Sequence, residues 1–160
     1  MSLPNLLLMS TVLIVEDDPV CGRLTCEFVR AGGYQALLAS DGEAALVMLR
    51  EHTVDAVVTD LAMPNLNGLR LIQAIRDCGD GMPIIAMSGT NVDQLDLAED
   101  YGANASVAKP VKGPPLVALL KRVIEDTETD WTAAWIHPEF GSVDRHAPEG
   151  PNSKHSAGTG

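Results

Sequence analysis

Short apolar runs alternate along the chain with stretches that are apolar on one side only. Thr11–Val15 (TVLIV), Val54–Thr59 (VDAVVT) and Pro83–Met87 (PIIAM) are aliphatic or β-branched and five to six residues long. Such runs fit strands buried on both faces. Gln35–Ala39 and Ala105–Ala108 are weaker strands at similar intervals. Between them, 19–31, 41–50, 68–78, 92–101 and 113–125 read as amphipathic helices. Leu69, Ile72 and Ile75 follow the three-to-four spacing of one apolar stripe, as do Leu116, Leu119/Leu120 and Val123. Pro19 suits a first helical position after Asp18, and Gly32-Gly33 and Gly102 suit helix ends. A strand–helix unit repeated five times predicts an α/β fold, a parallel sheet covered by helices on both faces.

At 160 residues, with 46% hydrophobic and 4% aromatic positions, the chain has enough aliphatic surface for one domain and an appendage. Lys+Arg 11 against Asp+Glu 22 gives a net charge of −11. Such a chain is repelled by phosphate backbones and anionic lipid, so we expect no nucleic acid and no membrane among its partners. The 3 cysteines, irregularly spaced, make no disulfide framework and suit a reducing, cytoplasmic setting. Leu6–Met9 is too short, and lacks a preceding Lys or Arg, for an export signal or a span. Residues 1–10 read as a flexible lead-in and 11–125 as the folded domain. Residues 126–160 form an acidic tail, largely disordered, rich in Gly, Pro and Ser beyond Gly141. Within it Trp131, Trp135 and Ile136 would line one face of a short helix at 130–137, either folding back on the domain or docking a partner. The tail histidines read as solvated rather than metal-binding.

The candidate chemistry gathers where a parallel sheet collects it, just past the carboxyl ends of the strands. There stand Glu16, Asp17 and Asp18 after the first strand, Asp60 after the third, Ser88 after the fourth and Lys109 after the fifth. Asp18 or Ser88 alone would be explained by helix capping. Their joint arrival on one rim points to a site. Crowded carboxylates resist joint ionisation unless a cation intervenes, and hard oxygen donors with room for water suit Mg²⁺. A carboxylate facing the metal can attack phosphorus, while Lys109 and Ser88 hold phosphoryl oxygens. The set reads as a phosphoryl-accepting site.

Val15-Glu16-Asp17-Asp18, Asp60-Leu61-Ala62-Met63-Pro64, Asn67-Gly68, Met87-Ser88-Gly89 and Lys109-Pro110 resemble the receiver domain of two-component response regulators. The resemblance covers 11–125 and implies a flavodoxin-like, doubly wound five-stranded sheet in the order 2-1-3-4-5. It implies Asp60 as phospho-acceptor and Asp17, Asp60 and the carbonyl of Ala62 as direct Mg²⁺ ligands. Glu16 would act through metal-bound water, and Ser88 and Lys109 would contact the phosphoryl group. The implied donor is a phosphohistidine on a histidine kinase or a histidine phosphotransfer protein, with a downstream protein target for the output. The protein would then be a phosphorelay switch that catalyses only its own phosphorylation and dephosphorylation.

Ser106 stands where the family usually has an aromatic residue that rotates with the Ser/Thr, and Val111 where Phe often follows Lys-Pro. Both leave the phosphorylation chemistry intact and point to an altered conformational relay. The resemblance implies that the positions of Ala62 and Thr90 influence access of hydrolytic water; neither residue orients one well, so slow self-dephosphorylation is expected. The short tail leaves no room for an output domain, which suggests a stand-alone receiver. A receiver cut from a longer regulator or hybrid kinase would share these features. A Mg²⁺-dependent hydrolase with Asp60 as nucleophile is the other class, weakened because Ala62 supplies no acid. Neither a dinucleotide glycine pattern nor a P-loop is present. Cys21, Cys26 and Cys78 read as small apolar or surface residues, and the acids Asp93, Asp96, Glu99 and Asp100 as a solvated helix face.

Overall fold

The computed structural model describes residues 9–89 and 92–130. Most of the expected lead-in and the Trp131–Ile136 segment lie outside the described residues, as does Thr90. Ten elements alternate: β1 (Thr11–Val15), α1 (Pro19–Ala31), β2 (Gln35–Ala39), α2 (Gly42–Glu51), β3 (Ala56–Asp60), α3 (Gly68–Asp77), β4 (Ile84–Ser88), α4 (Val92–Asp100), β5 (Ala105–Ala108) and α5 (Gly113–Asp130). All strand pairs are parallel, in the order β2-β1-β3-β4-β5. This is the α/β architecture the alternation predicted, with the strand order the resemblance implied.

Because side chains alternate across a strand, each central strand feeds two cores. Leu13, Val15, Val57, Ile84 and Ala86 meet Leu49 of α2, Leu71, Ile72 and Ile75 of α3, and Ala98 of α4 on one face. Val12, Ile14, Val58, Ile85 and Met87 meet Cys26 and Val29 of α1 and Leu116, Leu120 and Val123 of α5 on the other. Truncating any of the fully buried leucines or isoleucines to Ala removes about 2–5 kcal/mol.

The boundaries differ from expectation where side chains take over backbone roles. The strand expected at 54–59 is Ala56–Asp60. Asp55 instead brackets the start of β1: its N–H donates to the Thr11 carbonyl and its carboxylate accepts from the Thr11 N–H at 2.7 Å. The strand expected at 83–87 is Ile84–Ser88, since Pro83 has no N–H to donate and joins only through its carbonyl. Asp41 caps α2 rather than opening it, accepting from the Ala44 N–H. Cys78 caps α3, and Tyr101 follows α4. α5 continues to Asp130, so the first residues of the expected tail are helical. Cys21 and Cys78 are exposed and Cys26 is buried.

At the end of the sheet away from the candidate site, Arg76 of α3 ties down the approaches to β4 and β5. Its guanidinium donates to the carbonyls of Gly102 (3.0 Å) and Asp80 (2.7 Å) and to Asn104 Oδ1 (2.9 Å). The same Asn104 oxygen accepts from the Ile84 N–H. Burial pulls the Arg76 guanidinium below its ordinary value. The α4–β5 turn is thus held from below, where Gly102 sits at φ 111°, a conformation that favours glycine.

Candidate functional site

Parallel pairing places the ends of β1, β3, β4 and β5 on one edge, and the backbone ladder runs past the strands to fix the residues that follow. The Glu16 N–H donates to the Ala39 carbonyl, that of Leu61 to Met87, and that of Lys109 to Ser88, at 2.8–3.0 Å. Val15 pairs with Thr59, Asp60 with Met87 and Ser88 with Ala108. Glu16, Asp60, Ser88 and Lys109 are thereby carried on backbone that belongs to the sheet rather than on free loops.

Lys109 Nζ lies 2.6 Å from Glu16 Oε2 and 2.9 Å from Asp60 Oδ2. The second oxygen of each carboxylate meets a backbone donor. Glu16 Oε1 accepts from the Asp18 N–H and Asp60 Oδ1 from the Ala62 N–H, both at 3.2 Å. Glu16 and Asp60 are buried (3% and 5% exposed), whereas Asp17 is open to solvent. One oxygen from each of Glu16, Asp17 and Asp60 falls within 4.8 Å of the others. Burial pushes the Glu16 carboxyl up by more than Lys109 and the Asp18 N–H draw it down. Burial also opposes the Lys109 charge, yet bonding to Glu16 and Asp60 outweighs it and holds the ammonium above its ordinary value.

Three carboxylates around one ammonium leave negative charge in excess, and the donors are all hard oxygens that converge. That set fits a small divalent cation such as Mg²⁺. Asp18 is the α1 N-cap: its Oδ1 accepts from the Val20 and Cys21 N–H groups, which hold its carboxyl below the ordinary value. It serves the pocket through its own N–H on Glu16. Ser88 is buried, and its hydroxyl donates to Gln94 Oε1 at 3.2 Å. Ser106 donates to Glu99 Oε1 at 2.8 Å on the surface, and Val111 packs against the α1–α5 core.

The structure brings Glu16, Asp17, Asp60 and Lys109 together, with Ala62 reaching Asp60 through its N–H and Ser88 one step past the strand partner of Asp60. One contributor escapes sequence reasoning. Gln94 gives no signal, being a polar residue on an exposed-looking helix. Gly68, in the Asn67-Gly68 motif, does give one: a Cβ there would lie 2.2 Å from the Asp60 carbonyl oxygen, so only glycine lets α3 start against the acidic residue.

The sequence profile described as response regulator receiver domain matches residues 12–121. The chain is 37% identical over 117 residues to "Transcription factor SKN7" of Saccharomyces cerevisiae, covering 72% of this chain and 19% of that protein. It is 38% identical over 102 residues to "Regulator of RpoS" of Escherichia coli, covering 63% and 30%. It is 33% identical over 101 residues to "Sensor histidine kinase RcsC" of Salmonella typhimurium, covering 62% and 11%. The chain thus spans less than a third of the length of each of these relatives. Among solved structures, a response regulator receiver domain protein from Clostridium thermocellum superposes with TM-score 0.73 at 24% identity, over 77% of this chain and 100% of that one. A putative response regulator from Chloroflexus aurantiacus gives TM-score 0.70 at 27% identity, over 73% and 98%. With its sheet order, its acidic rim and its facing lysine, the chain belongs to the response regulator receiver domain family of two-component signalling.

Proposed function

We propose that this receiver accepts a phosphoryl group on Asp60 from a phosphohistidine of a histidine kinase or histidine phosphotransfer protein, and passes the signal to a downstream protein target. The observation that carries the reading is the shared ammonium: Lys109 bonds Asp60 and Glu16 at once, beside Asp17, at the carboxyl edge of the sheet. An Asp60 oxygen attacks phosphorus; the O–P bond forms as the P–N bond breaks, and its electron pair returns to the imidazole nitrogen. Lys109 is then placed to exchange its bond to the Asp60 carboxylate for one to a phosphoryl oxygen, as a point charge with three donors. Ser88 supplies a neutral O–H to another oxygen.

Asp17, Asp60 and the carbonyl of Ala62 would hold Mg²⁺ directly, with Glu16 acting through water. The ion supplies charge neutralisation of the phosphoryl oxygens against the three carboxylates. The reaction is this domain's own phosphorylation and its reversal, not turnover of a separate substrate. A cytoplasmic setting fits the free cysteines. The −11 charge argues against nucleic acid and anionic membrane as partners of this unit, and no described helix is long and apolar enough to cross a membrane.

The test is incubation with a small acyl phosphate and Mg²⁺ followed by intact mass. One added phosphoryl in the wild type and none in Asp60→Asn supports the reading. No addition to a folded wild type that binds Mg²⁺ overturns it.

A further inference from the structure

The buried hydroxyl of Ser88 has one proton, and in this structure Gln94 holds it. Gln94 lies in the first turn of α4. The far end of that helix is secured in several ways: Glu99 accepts from Ser106 of β5, Ala98 is fully buried, and Arg76 grips the Gly102 carbonyl just beyond it. The Ser88–Gln94 bond is therefore a side-chain tie between the phosphorylation rim and the start of α4.

We propose that Gln94 is a positioning residue for phosphoryl acceptance: it keeps the Ser88 proton in the resting protein and loses it when Asp60 is phosphorylated, so that the same event unfastens the first turn of α4. The proposal rests on Asp60 being the acceptor. Its physical basis is competition for one proton. A doubly charged phosphoryl oxygen is a much stronger acceptor than a side-chain amide oxygen, and charge-assisted hydrogen bonds are roughly twice as strong as neutral ones. Ser88 is on the strand adjacent to Asp60, one residue beyond its register partner, which places its hydroxyl at the same sheet edge as the acceptor. The tie at Glu99–Ser106 is untouched by this exchange, so α4 loosens at its start and stays fixed at its end. By linkage, a partner that binds the loosened helix start promotes phosphorylation.

The tie costs the resting state nothing but must be broken on phosphorylation. Removing the acceptor should therefore help the reaction by the net worth of one hydrogen bond, about two- to tenfold. In Gln94→Met, which keeps the length of the side chain, the maximal rate of phosphorylation by a small acyl phosphate should rise by that factor, with little change in the half-saturating donor concentration. Gln94→Glu keeps an acceptor and should run at or below the wild-type rate. In a Ser88→Ala background Gln94→Met should change nothing, because there is no proton to release. Hydrogen exchange of the α4 first-turn amides, measured without any phosphodonor, should quicken by a similar factor in Gln94→Met. An unchanged rate in Gln94→Met, or the same increase with Ser88 absent, overturns the proposal. If wild type takes up no phosphoryl at all, the reading of Asp60 fails instead, and the exchange measurement judges the tie alone: unaltered exchange overturns it.

Discussion

Lys109→Met removes the cation that two buried carboxylates share and leaves a side chain of similar length. Glu16 and Asp60 then face each other with only the N–H groups of Asp18 and Ala62 for compensation. Breaking a fully buried ion pair costs about 3–5 kcal/mol. Here the cost is smaller, because Lys109 keeps a quarter of its side chain exposed and Asp17 beside the pair is open to solvent. It is also capped, since Glu16 can escape by taking a proton. From an ordinary value of 4.5, holding that proton at pH 7 costs about 1.36 kcal/mol for each of the intervening pH steps, or about 3.4 kcal/mol. We expect a loss of about 2–3 kcal/mol at pH 7 in EDTA, a fall in Tm of roughly 8–12 °C. The sign of its pH dependence follows from Glu16, whose folded pKa the substitution raises further. Stability tied to a raised carboxyl is fully present below the unfolded pKa and is lost as pH rises through the folded one. The penalty should therefore shrink as pH falls toward 4.5 and grow as pH rises toward neutrality. Mg²⁺ should restore more stability to the variant than to the wild type, because the competing ammonium is gone. Urea denaturation at pH 5 and pH 7, with and without Mg²⁺, reads all of this. A loss below about 0.5 kcal/mol at pH 7, or one equal at the two pH values, refutes the electrostatic argument.

Gly68→Ala puts a methyl 2.2 Å from the Asp60 carbonyl oxygen and 2.8 Å from Leu61 Cα, both backbone. Overpacking of this kind costs about 1–3 kcal/mol by denaturation, and phosphorylation should slow because Asp60 is displaced; wild-type stability and rate would show that the approach is not constraining. Asp17→Asn should weaken Mg²⁺ binding roughly tenfold or more and slow phosphorylation in step, measured by titration at several ion concentrations; an unchanged affinity removes Asp17 from the ligand set. Ala62 is exposed at the rim and its side chain orients no water, so Ala62→Asn should hasten decay of the phosphorylated form after the donor is removed, and an equal or slower decay counts against that role.

The periodicity of the sequence was enough for the (βα) alternation, because both-face burial demands continuous aliphatic runs such as Thr11–Val15 and Ile84–Met87. Its limits were local. The start of β3 shifted because Asp55 spends both its N–H and its carboxylate on Thr11. That is a tertiary bond between residues far apart in sequence. The acidic rim was legible since strand ends must share an edge in a parallel sheet, which brings Glu16, Asp17, Asp60 and Lys109 together whatever the intervening helices contain. Which atoms pair was not legible. The Ser88 hydroxyl could cap α4 or face the pocket on sequence grounds, and nothing in the sequence announces that it donates to Gln94 at rest. Likewise nothing in an Arg at the end of a helix announces that it will bind Asp80, Gly102 and Asn104 together.

The central claim is that Asp60 receives the phosphoryl group, and locating the acyl phosphate tests it most directly. Borohydride reduction of the protein after reaction with a small acyl phosphate and Mg²⁺, followed by tandem mass spectrometry, converts an aspartyl phosphate to homoserine at its own position. The account predicts that conversion at Asp60 alone, and its loss when Mg²⁺ is withheld. Phosphate found on Ser88, on Asp17, or on no residue of a folded protein would contradict it.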